Sequence, residues 1–91
     1  MNKIDAYIGF CIKKGCAVLG VDGIEVCRRK VHLILFSNDL ADNSLKKLSK
    51  FASQRNCPMQ EYDLAFLNRS CKAIALCDAN LAKAVMSALK G

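Results

Sequence analysis

The sequence has one histidine, His32, and none of its six cysteines stands in a C-x-x-C pair. Tetrahedral zinc sites need clustered Cys and His at short spacing, so no metal is expected. No Ser, Cys or carboxylate motif surrounds His32, which lies inside an apolar run and reads as a packed or edge-strand residue. Without a nucleophile and a matched base, neither enzyme activity nor a cofactor or small-molecule substrate is expected. Met1 is followed by Asn2, Lys3, Ile4 and Asp5, which form no apolar signal core. The expected compartment is therefore the reducing cytoplasm, where six cysteines do not build a disulfide scaffold. No apolar run approaches the roughly 20 residues that cross a bilayer. There is no internal repeat or low-complexity tract.

What is present fits one folded unit. A chain of 91 residues, 53% of them hydrophobic, has room for one modest core and none for a second domain. Cys11, Cys27 and Cys77 stand where apolar residues belong and read as small buried hydrophobes, not as redox or catalytic groups. The formal net charge of +6 makes a polyanion a reasonable partner, because Lys and Arg gain by releasing counterions from a phosphate backbone. A solvated basic surface explains the same charge equally well.

Ile4, Ile8, Cys11 and Ile12 recur at helical spacing, followed by Lys13, Lys14 and Gly15; the pattern predicts a helix over 3–14 with a cationic last turn and a glycine stop. Cys16 to Leu19 reads as a strand, Gly20 as a turn, and the segment from Asp22 as a short helix ending at Arg28 and Arg29. The run Val31 to Phe36 is too continuously apolar for a half-exposed strand and predicts a central strand covered on both faces. Asp42 or Asn43 can cap a long helix through Leu45, Leu48, Phe51 and Ala52, with Lys46, Lys47, Lys50 and Arg55 facing solvent; Asn56 ends it, and Cys57, Pro58 and Met59 resume an extended path. Tyr62 to Leu67 is ambiguous and reads as one helical segment from Asp63. Lys72 to Cys77 predicts a last strand, and Asp78 a cap for a helix with Leu81, Val85, Ala88 and Leu89 on one stripe. This alternation predicts an α/β fold, a three-layer α/β/α sandwich around about four strands in a mixed sheet.

The stretch Leu33-Ile34-Leu35-Phe36-Ser37-Asn38-Asp39-Leu40, continuing through Leu45-Lys46-Lys47-Leu48, resembles the central strand and following helix of the kink-turn RNA-binding ribosomal protein family. Lys13-Lys14-Gly15 with Val18 and Gly20, Cys57-Pro58, and Ile74 to Ala84 with Asp78 and Ala82-Lys83-Ala84 resemble that family's other elements in the same order. The likeness spans nearly the whole of residues 1–91 and is nearest the bacterial, YlxQ-like branch. It implies a single ribosomal-protein-like RNA-binding domain, non-enzymatic and cytoplasmic, that recognises bent RNA. Family members set the glycine turn after the first strand, and the start of the next helix, against exposed base edges. Glycine permits close backbone approach, and bent RNA exposes edges that regular duplexes hide.

The family signature runs Gly, small, polar, polar, two variable positions, Lys; here it is Gly20-Val21-Asp22-Gly23-Ile24-Glu25-Val26. Gly20 is kept, Asp22 can accept from a guanine edge, and Val26 replaces the basic residue. A second contact loop is shortened to Asn68-Arg69-Ser70-Cys71-Lys72. The candidate RNA-binding residues are thus Lys14, Gly20, Asp22, Gly23, Arg28, Arg29, Arg69 and Lys72, with Lys30 beside the arginines. Two plainer readings stand beside this one: Gly20 and Gly23 as turn glycines, and the arginines as cations favoured at a helix end. Asp39 and Asp78 lie at strand ends but read as turn and cap residues before catalytic ones. The competing function is an adaptor that keeps the fold and binds a protein partner or forms a homodimer.

Overall fold

The computed structural model describes residues 3–67 and 71–90. Its elements are α1 (Lys3–Lys14), β1 (Ala17–Leu19), α2 (Val21–Glu25), β2 (Leu33–Phe36), α3 (Asp42–Arg55), β3 (Met59–Glu61), a 3-10 turn (Ala65–Leu67), β4 (Ala73–Leu76) and α4 (Ala79–Lys90). The strands form one sheet in the order β1-β4-β2-β3. β4 runs antiparallel to both neighbours, pairing Ile74 with Leu19 on one side and with Leu35 on the other. β2 and β3 are parallel, with Ile34 opposite Met59. A parallel pair needs a long crossover, and α3 supplies it.

The strand pleat sorts side chains into two cores. Leu33, Leu35, Ile74 and Leu76 point to one face and pack with Ile8 and Cys11 of α1 and with Ala82 and Val85 of α4. Ile34, Ala73 and Ala75 point to the other and pack with Ile24 of α2 and with Leu48, Phe51 and Ala52 of α3. The two central strands are therefore apolar throughout, whereas edge strand β3 exposes Gln60 and Glu61. β4 presents its large residues to α1 and α4 and its alanines to α2, which lets that helix lie close. The three-layer α/β/α architecture is as expected. No helix of the described residues is long and apolar enough to cross a membrane.

The strands are shorter than the apolar runs that announced them, β1 starting at Ala17, β2 at Leu33 and β4 spanning Ala73–Leu76, and three helical boundaries differ from the sequence reading. α2 stops at Glu25, and Cys27 donates its amide to Ile24 in a tighter, three-residue bond. Cys27 must turn inward with Val31 while Arg28, Arg29 and Lys30 stay exposed, and a continuing helix cannot do both. The cap of α3 is Ala41 in extended backbone, without a side-chain hydrogen bond; Asp42 instead lies in the first turn, where a negative charge suits the helix dipole. The helical segment expected from Asp63 shrinks to the 3-10 turn, with the Asp63 carboxylate accepting from the Ala65 amide.

α1 and α3 end alike. The amides of Gly15 and Cys16 donate back to Ile12 and Cys11, and those of Asn56 and Cys57 to Ser53 and Ala52. Both are Schellman closures whose turning residue is left-handed, with φ of 80° at Gly15 and 52° at Asn56.

Candidate functional site

Gly20 has φ 86° and ψ 151°, a region open essentially to glycine alone. Its amide donates to Ala73 O at 2.8 Å, so the turn after β1 lies directly beside the start of β4. A Cβ on Gly20 would meet nothing within 4 Å. The glycine is thus required by backbone conformation and leaves open space in front of the turn. Gly20→Ala is expected to cost about 1–3 kcal/mol, read as a lower urea midpoint with an unchanged slope; an unshifted midpoint would mean that the turn relaxes freely.

Gly23 has a different task. A Cβ there would lie 3.2 Å from Val18 Cγ1, so its missing side chain lets α2 pack on β1. Asp22 is exposed on the first turn of α2. Lys72 reaches Asp39 at 3.1 Å, and Ser37 also donates to that carboxylate. The Ser37 hydroxyl, and after it the Lys72 ammonium, hold the Asp39 carboxyl below the usual range. Beside them opens a hollow of about 250 Å³ lined by Ser37, Asn38, Asp39, Asp63, Cys71 and Lys72 among others. This end of the sheet, where β1, β2 and β3 finish, carries Asp22, Asp39, Glu61 and Asp63 against Lys72. Arg69 lies outside the described residues.

The remaining candidates gather at the opposite end of the sheet. Arg29 Nη1 donates to Gly15 O at 2.8 Å, which brings the segment after α2 back to the start of β1. Lys14 pairs with Asp78 at 2.9 Å, tying the end of α1 to the start of α4. Arg55 donates to Cys27 O at 3.1 Å and lies 4.7 Å over the Phe51 ring. Lys13, Lys14, Arg28, Arg29, Lys30 and Arg55 are all exposed here. In the sequence Lys13 reads as a helix-end cation and Arg55 as solvent-facing, and neither is among the candidate RNA-binding residues. Their gathering depends on where α1, α3 and the segment after α2 end together.

The seven candidates among the described residues therefore divide. Gly20, Asp22, Gly23 and Lys72 sit at the end where β1 finishes, and Lys14, Arg28 and Arg29 at the end where β1 begins. α2 and the residues after it run between the two groups, with Val26, 76% exposed, on the way.

Asp78 also caps α4, its Oδ1 accepting from the Leu81 amide at 2.9 Å. The Lys14 ammonium, then the Leu81 amide, hold its carboxyl below the ordinary 3.8. A depressed carboxyl stabilises the fold above its unfolded pKa, and that contribution is lost as pH falls through the lower folded value. Asp78→Asn should accordingly flatten the loss of urea stability on acidification below pH 3.8. An acid limb identical to the wild type's would remove this pair from the pH dependence.

Among the described residues no three His, Cys, Asp or Glu groups are placed to hold a metal ion. Fold and site together define a small α/β/α domain with a mixed four-stranded sheet, a glycine turn at one end and a cationic surface at the other. No family model matches the chain. No curated protein matches it significantly. A solved structure described as a protein with unknown function from Bacillus halodurans C is similar over 100% of both chains, with a TM-score of 0.84 and 16% identity. At that identity the likeness speaks for the fold.

Proposed function

We propose that this protein is a non-enzymatic binder of structured RNA, kink-turn-like or ribosomal, holding phosphates at its cationic end and approaching bases along α2 and the Gly20 turn. The observation that carries this reading is the segregation of charge. Lys13, Lys14, Arg28, Arg29, Lys30 and Arg55 share one end of the sheet, where Asp78 pairs with Lys14, while the carboxylates Asp22, Asp39, Glu61 and Asp63 lie at the other and Glu25, at the end of α2, reaches Lys47 of α3. Counterion release is greatest where cations cluster without compensating acids, so phosphate belongs at the Arg28–Arg29 end. At the other end the backbone at Gly20 is open for a base edge, and Asp22 is an acceptor for a guanine, whereas Asp39 already engages Lys72.

The adaptor alternative needs a contiguous apolar surface. The exposed large hydrophobics of the described residues are Phe10 and Val26, on elements that cover opposite faces of the sheet. They do not form one patch.

The test is a titration of the reduced protein into a labelled kink-turn RNA and a straight duplex at two salt concentrations. Tighter, salt-sensitive binding to the bent RNA is expected. Equal binding to both would reduce the reading to general polyanion affinity, and absence of binding would favour the adaptor.

A further inference from the structure

Five of the chain's thiols lie toward the end of the sheet where β1 begins: Cys16 and Cys77 on hydrogen-bonded neighbouring strands, Cys57 before β3, Cys27 beneath Arg29, and Cys11 in α1. Within this group Cys77 also lies within hydrogen-bonding reach of the Cys27 thiol, but Cys11 and Cys16 are the pair joined through their backbone as well. Their Sγ atoms are 2.8 Å from each other, and each thiol also lies against the other residue's carbonyl, at 3.1 and 3.3 Å. Both are free thiols.

The cause is local. In a Schellman closure the residue after the left-handed turn meets the side chain that begins the last helical turn, usually through an apolar contact. Gly15 is the left-handed residue here, so Cys16 and Cys11 occupy those two positions. The matching closure at the end of α3 places Cys57 against Ala52, so the motif itself does not call for two thiols. At α1 the helix end holds two sulfurs together with backbone already fixed by the Cys16 amide to Cys11 carbonyl bond at 3.0 Å. A disulfide is about 2.0 Å long, so closing the contact needs a shift of under an ångström.

We infer that Cys11 and Cys16 form a redox-modification site, closing to an intramolecular disulfide by exchange with a low-molecular-weight disulfide of the glutathione class. Cys16 is half-buried and Cys11 has no exposed surface, so Cys16 meets the oxidant first. Its thiolate attacks one sulfur of RSSR, forming a mixed disulfide and expelling RS⁻. The Cys11 thiol then loses its proton and attacks Cys16 Sγ, breaking the bond to R and expelling the second RS⁻. The two protein thiols give up two electrons and two protons, and RSSR leaves as two RSH. Burial, and then the Cys16 thiol, push the Cys11 thiol up to about 12, which suits the resolving partner and not the first nucleophile. Burial pushes Cys57 up to about 11 and also raises Cys77, which disfavours both as initial nucleophiles. The bond would pin the end of α1 to the start of β1 and fix the Gly15 carbonyl that receives Arg29.

The reduced 91-residue chain, equilibrated in graded mixtures of reduced and oxidised glutathione, quenched in acid, alkylated and digested with trypsin, tests this. Lys13 and Lys14 separate the two cysteines, so the disulfide leaves two tryptic peptides joined. The expected result is that this joined species appears at a more reducing mixture than any other linkage, with loss of alkylation at both Cys11 and Cys16. Cys16→Ala should leave Cys11 alkylated across the same mixtures, while Cys71→Ser should form the Cys11–Cys16 bond as the wild type does. A stable glutathione adduct on Cys16 without closure, an earlier bond in another pair, or thiols that stay reduced in the most oxidising mixture would each overturn the assignment. The wild-type map alone decides if a variant fails to fold.

Discussion

Replacing Arg28 and Arg29 together by alanine should weaken binding to structured RNA on the order of tenfold and lower the salt dependence of the binding constant by a slope of about two. Both side chains are exposed on the segment after α2, and the hydrogen bond from Arg29 to Gly15 O is itself exposed. The double variant should therefore fold normally, with the loss confined to phosphate contact. Since phosphate contacts carry no sequence information, affinity should fall by a similar factor across RNA sequences. The control is Lys46→Ala with Lys50→Ala on α3, where a solvated face predicts an unchanged slope. If that pair moves the slope and the arginines do not, the phosphate surface lies on α3 and not at the end of the sheet.

Ile74→Ala should be the most damaging of the conservative core changes. Ile74 has no exposed surface, sits mid-sheet between Leu19 and Leu35, and faces the core shared with α1 and α4. Truncating a buried Ile to Ala costs about 2–5 kcal/mol, the spread reflecting how far the site can collapse. Here the sheet is fixed by pairing on both sides of β4, which limits collapse and favours the upper part of that range. Domains of this size hold about 5–15 kcal/mol in total and lose roughly 4–8 °C of Tm per kcal/mol, so much of the native stability would go. Urea and thermal midpoints measure it. A loss below about 1 kcal/mol, the range of volume-conserving swaps, would mean that the α1/α4 face is loosely packed.

The elements with strong periodicity were legible from residues alone. α1, α3 and α4 follow the spacing of their apolar stripes, and the unbroken Val31–Phe36 run announced a strand covered twice. The end of α2 was not legible, because Ile24 and Cys27 keep helical spacing while the backbone between them does not. Spacing records which residues are buried, and a turn can bury Cys27 as well as a helix can. The Ala41 cap was missed for a related reason: Asp42 is a good cap by type, yet the chain leaving the Ser37–Leu40 turn brings Ala41 to the boundary.

The candidate site was half legible. Gly20 as a turn glycine, Asp78 as a cap and Asn56 as a helix stop each depend on a few neighbouring residues, and each is found in that role. The same locality would have exposed the Cys11–Cys16 contact, since a glycine stop at Gly15 brings the residues on either side of the closure together. What the sequence by itself determined about this protein is therefore its layer order, its alternation of helix and strand, its excess of positive charge, the stops of α1 and α3 and the cap of α4. These follow from propensity and periodicity over a few residues. Only the tertiary structure decided that Gly20 meets Ala73, that Lys72 meets Asp39, that Lys14 meets Asp78, and that Arg29 returns to Gly15, at the other end of the sheet from the glycine turn. Those neighbours come from the antiparallel placement of β4 between β1 and β2, a pairing of residues distant in the chain that the buried cores select and no local pattern encodes.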